Sequence, residues 1–230
     1  MSERAIYLIP GGHPPDMSKM IEDVSKFFAT FGNPSPKIAY VGTANNDNKL
    51  FFRFMKRPLL KAGAREVTMA PIAGKHLNVE KAQSVLAAAD CVFLSGGEVE
   101  DGIVWLQKAG LDGYLTELYN GGMPFFGVSA GCIMMGQNWV HWEVEDDDNT
   151  ARLFDCLGFV PFTFDTHCEN EDWKELKCAL RLIGSGALGH GLSTGGFYSA
   201  DSAGGFQSYR NPPALYTNRD GTIEAVEWDG

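Results

Sequence analysis

No stretch of this 230-residue sequence stays apolar for the ~20 residues that cross a bilayer. The segment Met1-Ser2-Glu3-Arg4, followed at once by Ala5-Ile6-Tyr7-Leu8-Ile9, is too short for the apolar core of a secretory leader and reads as a first strand. Cysteine is sparse. Five residues (Cys91, Cys132, Cys156, Cys168, Cys178), an odd number with no C-x-x-C pair, argue against a disulfide framework and against a zinc site. Basic charge is also short: 19 Lys and Arg stand against 29 Asp and Glu, a net charge of −10. Sequence-independent binding to nucleic acid or to an anionic membrane is therefore not expected. Repeats, low-complexity tracts and interdomain linkers are absent. These absences lead to the expectation of a reduced, cytoplasmic protein with mostly buried thiols.

With 44% apolar residues and enough length for one sizeable core, a single α/β domain over residues 1–230 is expected. Short apolar runs alternate with helical patterns through the first two-thirds of the chain. Strands are expected at Ala5–Pro10, Ile38–Gly42, Glu66–Ala70, Cys91–Leu94 and Met123–Phe126. Helices are expected at Lys19–Phe31, Asn48–Ala62, Val79–Ala89, Val99–Ala109 and Leu111–Asn120. This alternation implies a flavodoxin-like, mostly parallel sheet with helices on both faces. After Leu188 the chain is rich in Gly, Ser, Tyr and Pro, and the runs Gly205–Tyr209, Ala214–Thr217 and Thr222–Trp228 read as a short antiparallel C-terminal extension. In such sheets ligands bind beyond the carboxyl ends of the strands. Four polar or glycine-rich turns fall there: Gly11-Gly12-His13, Thr43-Ala44-Asn45-Asn46, Ser95-Gly96-Gly97-Glu98 and Gly127-Val128-Ser129-Ala130-Gly131.

The last of these is a G-x-S-x-G pentapeptide behind an apolar strand. A strand that reverses sharply into a helix lifts the central Ser129 above the sheet edge and leaves the Ala130 N–H free to help bind an oxyanion. Gly97, after Val92-Phe93-Leu94, is the candidate second oxyanion donor, because glycine lets a backbone amide face the site unobstructed. A nucleophilic serine needs a base, and His is the usual one. His76 reads as surface, His141 as a loop residue, and His190 as close backbone packing between two glycines. His13 could line the cleft. His167 is the strongest candidate, since it ends a strand that follows the elbow helix, where it could face Ser129.

These motifs, in this order, resemble peptidase family S51, which contains α-aspartyl dipeptidases and cyanophycinases on a class I glutamine amidotransferase-like fold. The resemblance rests on Gly127–Gly131, on Ser95-Gly96-Gly97-Glu98 with the helix ending Lys108-Ala109-Gly110-Leu111, and on Leu157–Pro161 leading to Phe164-Asp165-Thr166-His167. It implies Ser129 as nucleophile, His167 as base, and the Gly97 and Ala130 amides as the oxyanion site. Two departures stand out. Glu98 occupies a position where the family commonly has an amide residue, and a carboxylate there would repel an acidic substrate side chain. The segment that resembles the family's histidine-orienting acid, Gly191-Leu192-Ser193-Thr194-Gly195, has no carboxylate, leaving Thr194, or Asp165, Glu169 or Asp201, as candidates.

The expected activity is serine-dependent amide hydrolysis of small peptides, with no metal and no organic cofactor. Two alternatives are a catalytically impaired relative that binds a small molecule or a partner, and an esterase using the same serine. The acidic run Glu143–Asp148 reads as a solvated loop that favours basic substrates if it borders the cleft. Trp139, Trp142 and Phe154 are expected in the core, with cleft walls as the alternative. The apolar helix around Phe51, Phe52, Phe54, Met55 and Leu59 is expected to be buried, with a homodimer face as its alternative.

Overall fold

Period-two alternation along four short runs decides the architecture. In the computed structural model, which describes residues 5–12, 16–144 and 147–229, Ile6, Leu8, Ala39, Val41, Val92, Leu94 and Phe125 enter one core layer. Their strand neighbours Ile9, Ile38, Tyr40, Cys91, Phe93 and Phe126 enter the other. A strand buried on both faces needs helices on both, and the intervening segments supply them. His13 and the acidic residues Glu145 and Asp146 lie outside the described residues.

In chain order the elements are β1 (Ala5–Ile9), α1 (Met17–Thr30), β2 (Lys37–Val41), α2 (Lys49–Lys61), β3 (Glu66–Ala70), α3 (Val79–Ala87) and β4 (Cys91–Leu94). Then come α4 (Val99–Ala109), α5 (Asp112–Asn120), β5 (Phe125–Val128), α6 (Ala130–Met134), β6 (Asn138–Trp142), β7 (Ala151–Asp155) and β8 (Thr163–Thr166). The chain ends with α7 (Lys174–Ile183), β9 (Leu188–Leu192), β10 (Phe197–Asp201), β11 (Phe206–Arg210), β12 (Ala214–Arg219) and β13 (Thr222–Val226). The main sheet has the order β11-β10-β1-β5-β4-β2-β3, with the five strands from β1 to β3 parallel. The mostly parallel sheet and its helices agree with the expectation from sequence to within a few residues at each boundary.

The last third of the chain is more divided than expected. β10 pairs antiparallel with β1, and β11 antiparallel with β10, to extend the main sheet, whereas β9, β12 and β13 join β8 in a second sheet of order β13-β12-β9-β8. β6 and β7 form a separate hairpin, so His141, expected in a loop, is a strand residue opposite Arg152. Helix α2 is not buried as expected. Arg53, Lys56 and Arg57 interleave with its apolar residues, leaving Leu50 73% and Phe54 48% exposed, and only Met55, Pro58 and Leu59 buried. All five cysteines are free, and among the described residues no helix is long and apolar enough to cross a membrane.

One ion pair ties the C-terminal strands to the first helix. Asp23 on α1 is 1% exposed, and Arg210 at the end of β11 meets its two oxygens at 2.6 and 3.1 Å. Burial raises the Asp23 carboxyl above its ordinary range, and the hydrogen bond from Arg210 opposes that rise. Removing the guanidinium strands a buried charge, so Arg210→Met is expected to lose about 3–5 kcal/mol of stability. The double variant Asp23→Leu/Arg210→Met should regain most of it. Urea denaturation of the two proteins reads the difference, and equal losses in both would contradict this account of the pair.

Candidate active site

Because β1, β2, β4 and β5 run parallel, the turns that follow them gather along one edge of the sheet. Ser129 stands immediately past β5, between the ends of β1 and β4. Its N–H donates to Ile9 O at 3.1 Å, and its carbonyl accepts from Cys132 N at 2.7 Å. Its backbone sits at φ 52, ψ −124, a conformation that L-residues rarely adopt. The two flanking glycines make this turn feasible. A Cβ on Gly131 would lie 2.2 Å from Leu94 O, and one on Gly127 would lie 2.6 Å from the Gly131 carbonyl. Helix α6 therefore crosses the strand ends closer than any side chain at those positions permits.

His167 follows β8 and also has positive φ, at 48. Its N–H donates to Leu192 O at 3.0 Å, which pins the turn to the end of β9. This arrangement brings its Nε2 to 2.9 Å from Ser129 Oγ. Two non-glycine residues held at positive φ and touching through their side chains are the kind of local strain that collects at functional sites.

The turn after β4 is built by the turn after β2. Asn45 Nδ2 donates to Ser95 Oγ at 2.7 Å and to Gly96 O at 2.9 Å, and Glu98 N donates to Ala44 O at 2.7 Å. Gly97 has φ +145, and a Cβ there would fall 1.9 Å from Ala44 O, so no other residue fits. Gly96 packs against the serine, its would-be Cβ 3.2 Å from Ser129 Cβ. Ala130 opens α6, where a helix's first N–H groups lack intrahelical partners. Asp47 fixes the supporting loop from below. It is buried and accepts from Ile72 N at 2.7 Å and Ala73 N at 2.6 Å. The sequence places the Thr43–Asn46 turn at the right edge but assigns no role to the Asn45 side chain or to Asp47. An Asn at the third position of a strand-end turn, with an Asp two further on, was the available signal.

Two clefts flank the Ser129–His167 contact, and Gly97, Glu98, Ser129 and His167 line both. The first holds about 460 Å3 and is largely apolar, walled by Ile9, Met17, Met20, Phe51, Phe54, Met55 and Val128, with Gly11 and Gly12 at its floor. The second holds about 350 Å3 and is acidic, faced by Glu98, Glu100, Asp165 and Glu175 and by Trp139 and Trp142. Trp139 belongs to the core as expected, and it forms this wall as well. His141 also faces the acidic cleft, with Nδ1 2.5 Å from Glu100 Oε2.

The residues considered for orienting the histidine separate clearly. The Thr194 hydroxyl donates to Glu169 Oε2 at 3.1 Å, and its N–H donates to Glu169 Oε1. The two latch the loop after β9 to the loop after His167. Asp201 lies at the opposite edge of the sheet, paired in register with Ala5, and its carboxylate closes its own turn on Ala203 N and Gly205 N. It cannot reach the imidazole. Asp165, two residues before His167, is 1% exposed, and its Oδ1 accepts from Thr166 N at 2.7 Å. Burial, and then the neighbouring Glu175 carboxylate, push its carboxyl up to about 7. Asp165, Cys168 and Glu175 bring one ligand atom each to within 4.8 Å of one another. His190 lies apart from the site. It is buried among Phe162, Phe164 and Phe206, and burial pushes its imidazole down to about 4.

Comparison with known proteins bears on the family and the fold. The family model described as "Peptidase family S51" matches residues 7–181. A curated relative from Bacillus subtilis (strain 168), named "Uncharacterized peptidase YgaJ", is 23% identical over 190 residues, covering 76% of this chain and 77% of the relative. Two crystal structures share the fold. One, a peptidase from an acI-B1 Actinobacterium, has a TM-score of 0.65 at 15% identity, with 99% of this chain and 96% of that one covered. The other, a putative peptidase E protein from Listeria monocytogenes EGD-e, has a TM-score of 0.62 at 16% identity, covering 98% of this chain and all of that one.

The raised carboxyl of Asp165 has a consequence for stability. With a folded value near 7 against the ordinary 3.8, the folded protein holds a proton that the unfolded chain releases between those values. Asp165 therefore contributes nothing unfavourable at low pH, and stability declines as pH rises through about 4 to 7. Asn keeps the oxygen that Thr166 N needs and never ionises. Asp165→Asn should be more stable than the parent by on the order of a few kcal/mol at pH 8, and by little at pH 4. Melting curves at the two pH values test this, and a gain that does not grow with pH would contradict it.

Proposed function

The chain belongs to peptidase family S51, and on that footing we propose that it is a serine-dependent hydrolase cleaving amide bonds in small peptides. The 2.9 Å contact between Ser129 Oγ and His167 Nε2 carries the proposal. Neutral His167 accepts the hydroxyl proton as Ser129 Oγ attacks the scissile carbonyl carbon. The negative charge that develops on the carbonyl oxygen is taken up by the Gly97 and Ala130 N–H groups acting as the oxyanion site. His167 then returns the proton to the leaving amine, and an acyl-enzyme remains on Ser129. Water, deprotonated by His167, releases the acid. None of these steps draws on a metal or an organic cofactor.

Two further observations support serine as the nucleophile and a short substrate. Cys132, three residues past Ser129, is fully buried, and its thiol lies 3.4 Å from Ile9 O and 3.3 Å from Gly127 O. Burial raises it far from thiolate formation. The clefts beside the pair, about 460 and 350 Å3, hold a few residues of peptide rather than a protein segment.

A fluorophosphonate probe should label the parent protein and fail to label Ser129→Ala. His167→Ala should label at least about 10³-fold more slowly, the scale on which loss of a triad member acts. Circular dichroism confirms that both variants fold. Absence of labelling in the folded parent would sink the proposal.

A further inference from the structure

The loop after β2 clasps the glycine turn after β4 on both sides of Gly97. Ahead of Gly97, the Asn45 Nδ2 group donates to Ser95 Oγ at 2.7 Å and to Gly96 O at 2.9 Å. Behind it, Glu98 N donates to Ala44 O at 2.7 Å. Gly97 itself lies against Ala44, since a Cβ there would fall 1.9 Å from the Ala44 oxygen. Two adjacent residues of one loop therefore hold the peptide groups that flank Gly97.

The peptide between Gly96 and Gly97 carries the consequence. A trans peptide unit is planar, so its C=O and N–H point in opposite directions. Asn45 draws the Gly96 carbonyl towards the β2 loop, and the Gly97 N–H is thereby turned away from that loop. The same turn stands at the serine: a Cβ on Gly96 would lie 3.8 Å from Ser129 Oγ, and Gly97 borders both clefts. Without an anchor this peptide rotates readily, because glycine lacks the side chain that restricts other residues. The anchor calls for an amide. Asn45 Oδ1 accepts from Asn48 N at 3.1 Å, which fixes the direction in which Nδ2 faces. One acceptor and two donors are thus engaged at once, a set that a carboxamide offers on one short planar group. Ser95 is 1% exposed, so solvent does not compete for its hydroxyl.

We propose that Asn45 is a positioning residue for hydrolysis, its carboxamide aiming the Gly97 N–H at the developing oxyanion without touching substrate. The proposal rests on the reading of Ser129 as nucleophile and of the Gly97 N–H as an oxyanion donor. Asn45→Asp keeps the side-chain shape and the acceptor for Asn48 N, but it has no N–H and its charge repels the Gly96 carbonyl. Asn45→Ala removes the anchor outright. Both release the Gly96–Gly97 peptide, so the transition state loses a donor while the bound ground state loses little.

Parent, Asn45→Asp and Asn45→Ala proteins are reacted with a fluorophosphonate across probe concentration and pH, which separates the saturating labelling rate from the half-saturating concentration. Both variants should label about 10²–10³-fold more slowly at saturation, the scale of one lost oxyanion donor. The half-saturating concentration should stay within about twofold of the parent's. The pH midpoint of labelling should not move, since His167 keeps its place beside Ser129. Melting curves confirm the fold, and Asn45→Asp answers the question where Asn45→Ala loosens the loop. Labelling of a folded variant at the parent's rate overturns the proposal, and so does a loss confined to the half-saturating concentration. A slower rate with a displaced pH midpoint also overturns it, because the damage then lies in the Ser129–His167 contact. An unlabelled parent removes the hydrolytic reading itself, whereas a labelled parent with unaffected variants removes only the role of Asn45.

Discussion

The reversal of the chain at Ser129 leaves no room for error. Helix α6 passes over the ends of β4 and β5 so closely that Gly131 touches the Leu94 carbonyl and Gly127 touches Gly131. That approach holds Ser129 at φ 52, with its hydroxyl 2.9 Å from His167 Nε2. A serine so placed cannot relax into the helix or back into the strand, because Ile9 O and Cys132 N hold its backbone from either side. The strain is local, and two buried layers of apolar side chains around five parallel strands sustain it.

The partner histidine comes from a different sheet. β8 lies beside β9, apart from the main sheet, and the hydrogen bond from His167 N to Leu192 O sets where its turn ends. The 2.9 Å contact is therefore a joint between two bodies of hydrogen-bonded strands, and whatever fixes their relative position fixes the chemistry. α7 contributes by packing onto β9 where Gly189 and Gly191 leave space for Leu176 and Trp173. The bond from Arg210 to Asp23 contributes from the other side, holding β11 against α1 along the wall of the apolar cleft.

The main sheet was legible because its strands are buried on both faces and its helices follow the 3.6-residue period. Ser129, His167 and Gly97 were legible because each sits where an apolar run stops. Other features had weaker signals. β9 reads Leu-Gly-His-Gly-Leu, and its glycines lower any strand propensity; only the approach of α7 explains them. The β6–β7 hairpin spans an acidic segment that looks like loop in isolation, and its pairing becomes visible only when Trp139 meets Phe154 in register. Arg53, Lys56 and Arg57 in α2 signalled a half-exposed helix, but its run of aromatics outweighed them in the sequence reading. No spacing rule could have joined Asp165 to Glu175, since β8 and α7 meet by tertiary packing.

The proposed catalytic pair, Ser129 and His167, lies between an apolar cleft and an acidic one, with the proposed oxyanion donors bordering the same contact. The most direct test of this account is a crystal structure of the parent protein after reaction with a small fluorophosphonate. The account predicts phosphorus bonded to Ser129 Oγ and a phosphoryl oxygen within about 2.7–3.1 Å of both the Gly97 and Ala130 nitrogens. A phosphonate attached to any other residue, or one whose phosphoryl oxygen points away from both amides, would contradict it.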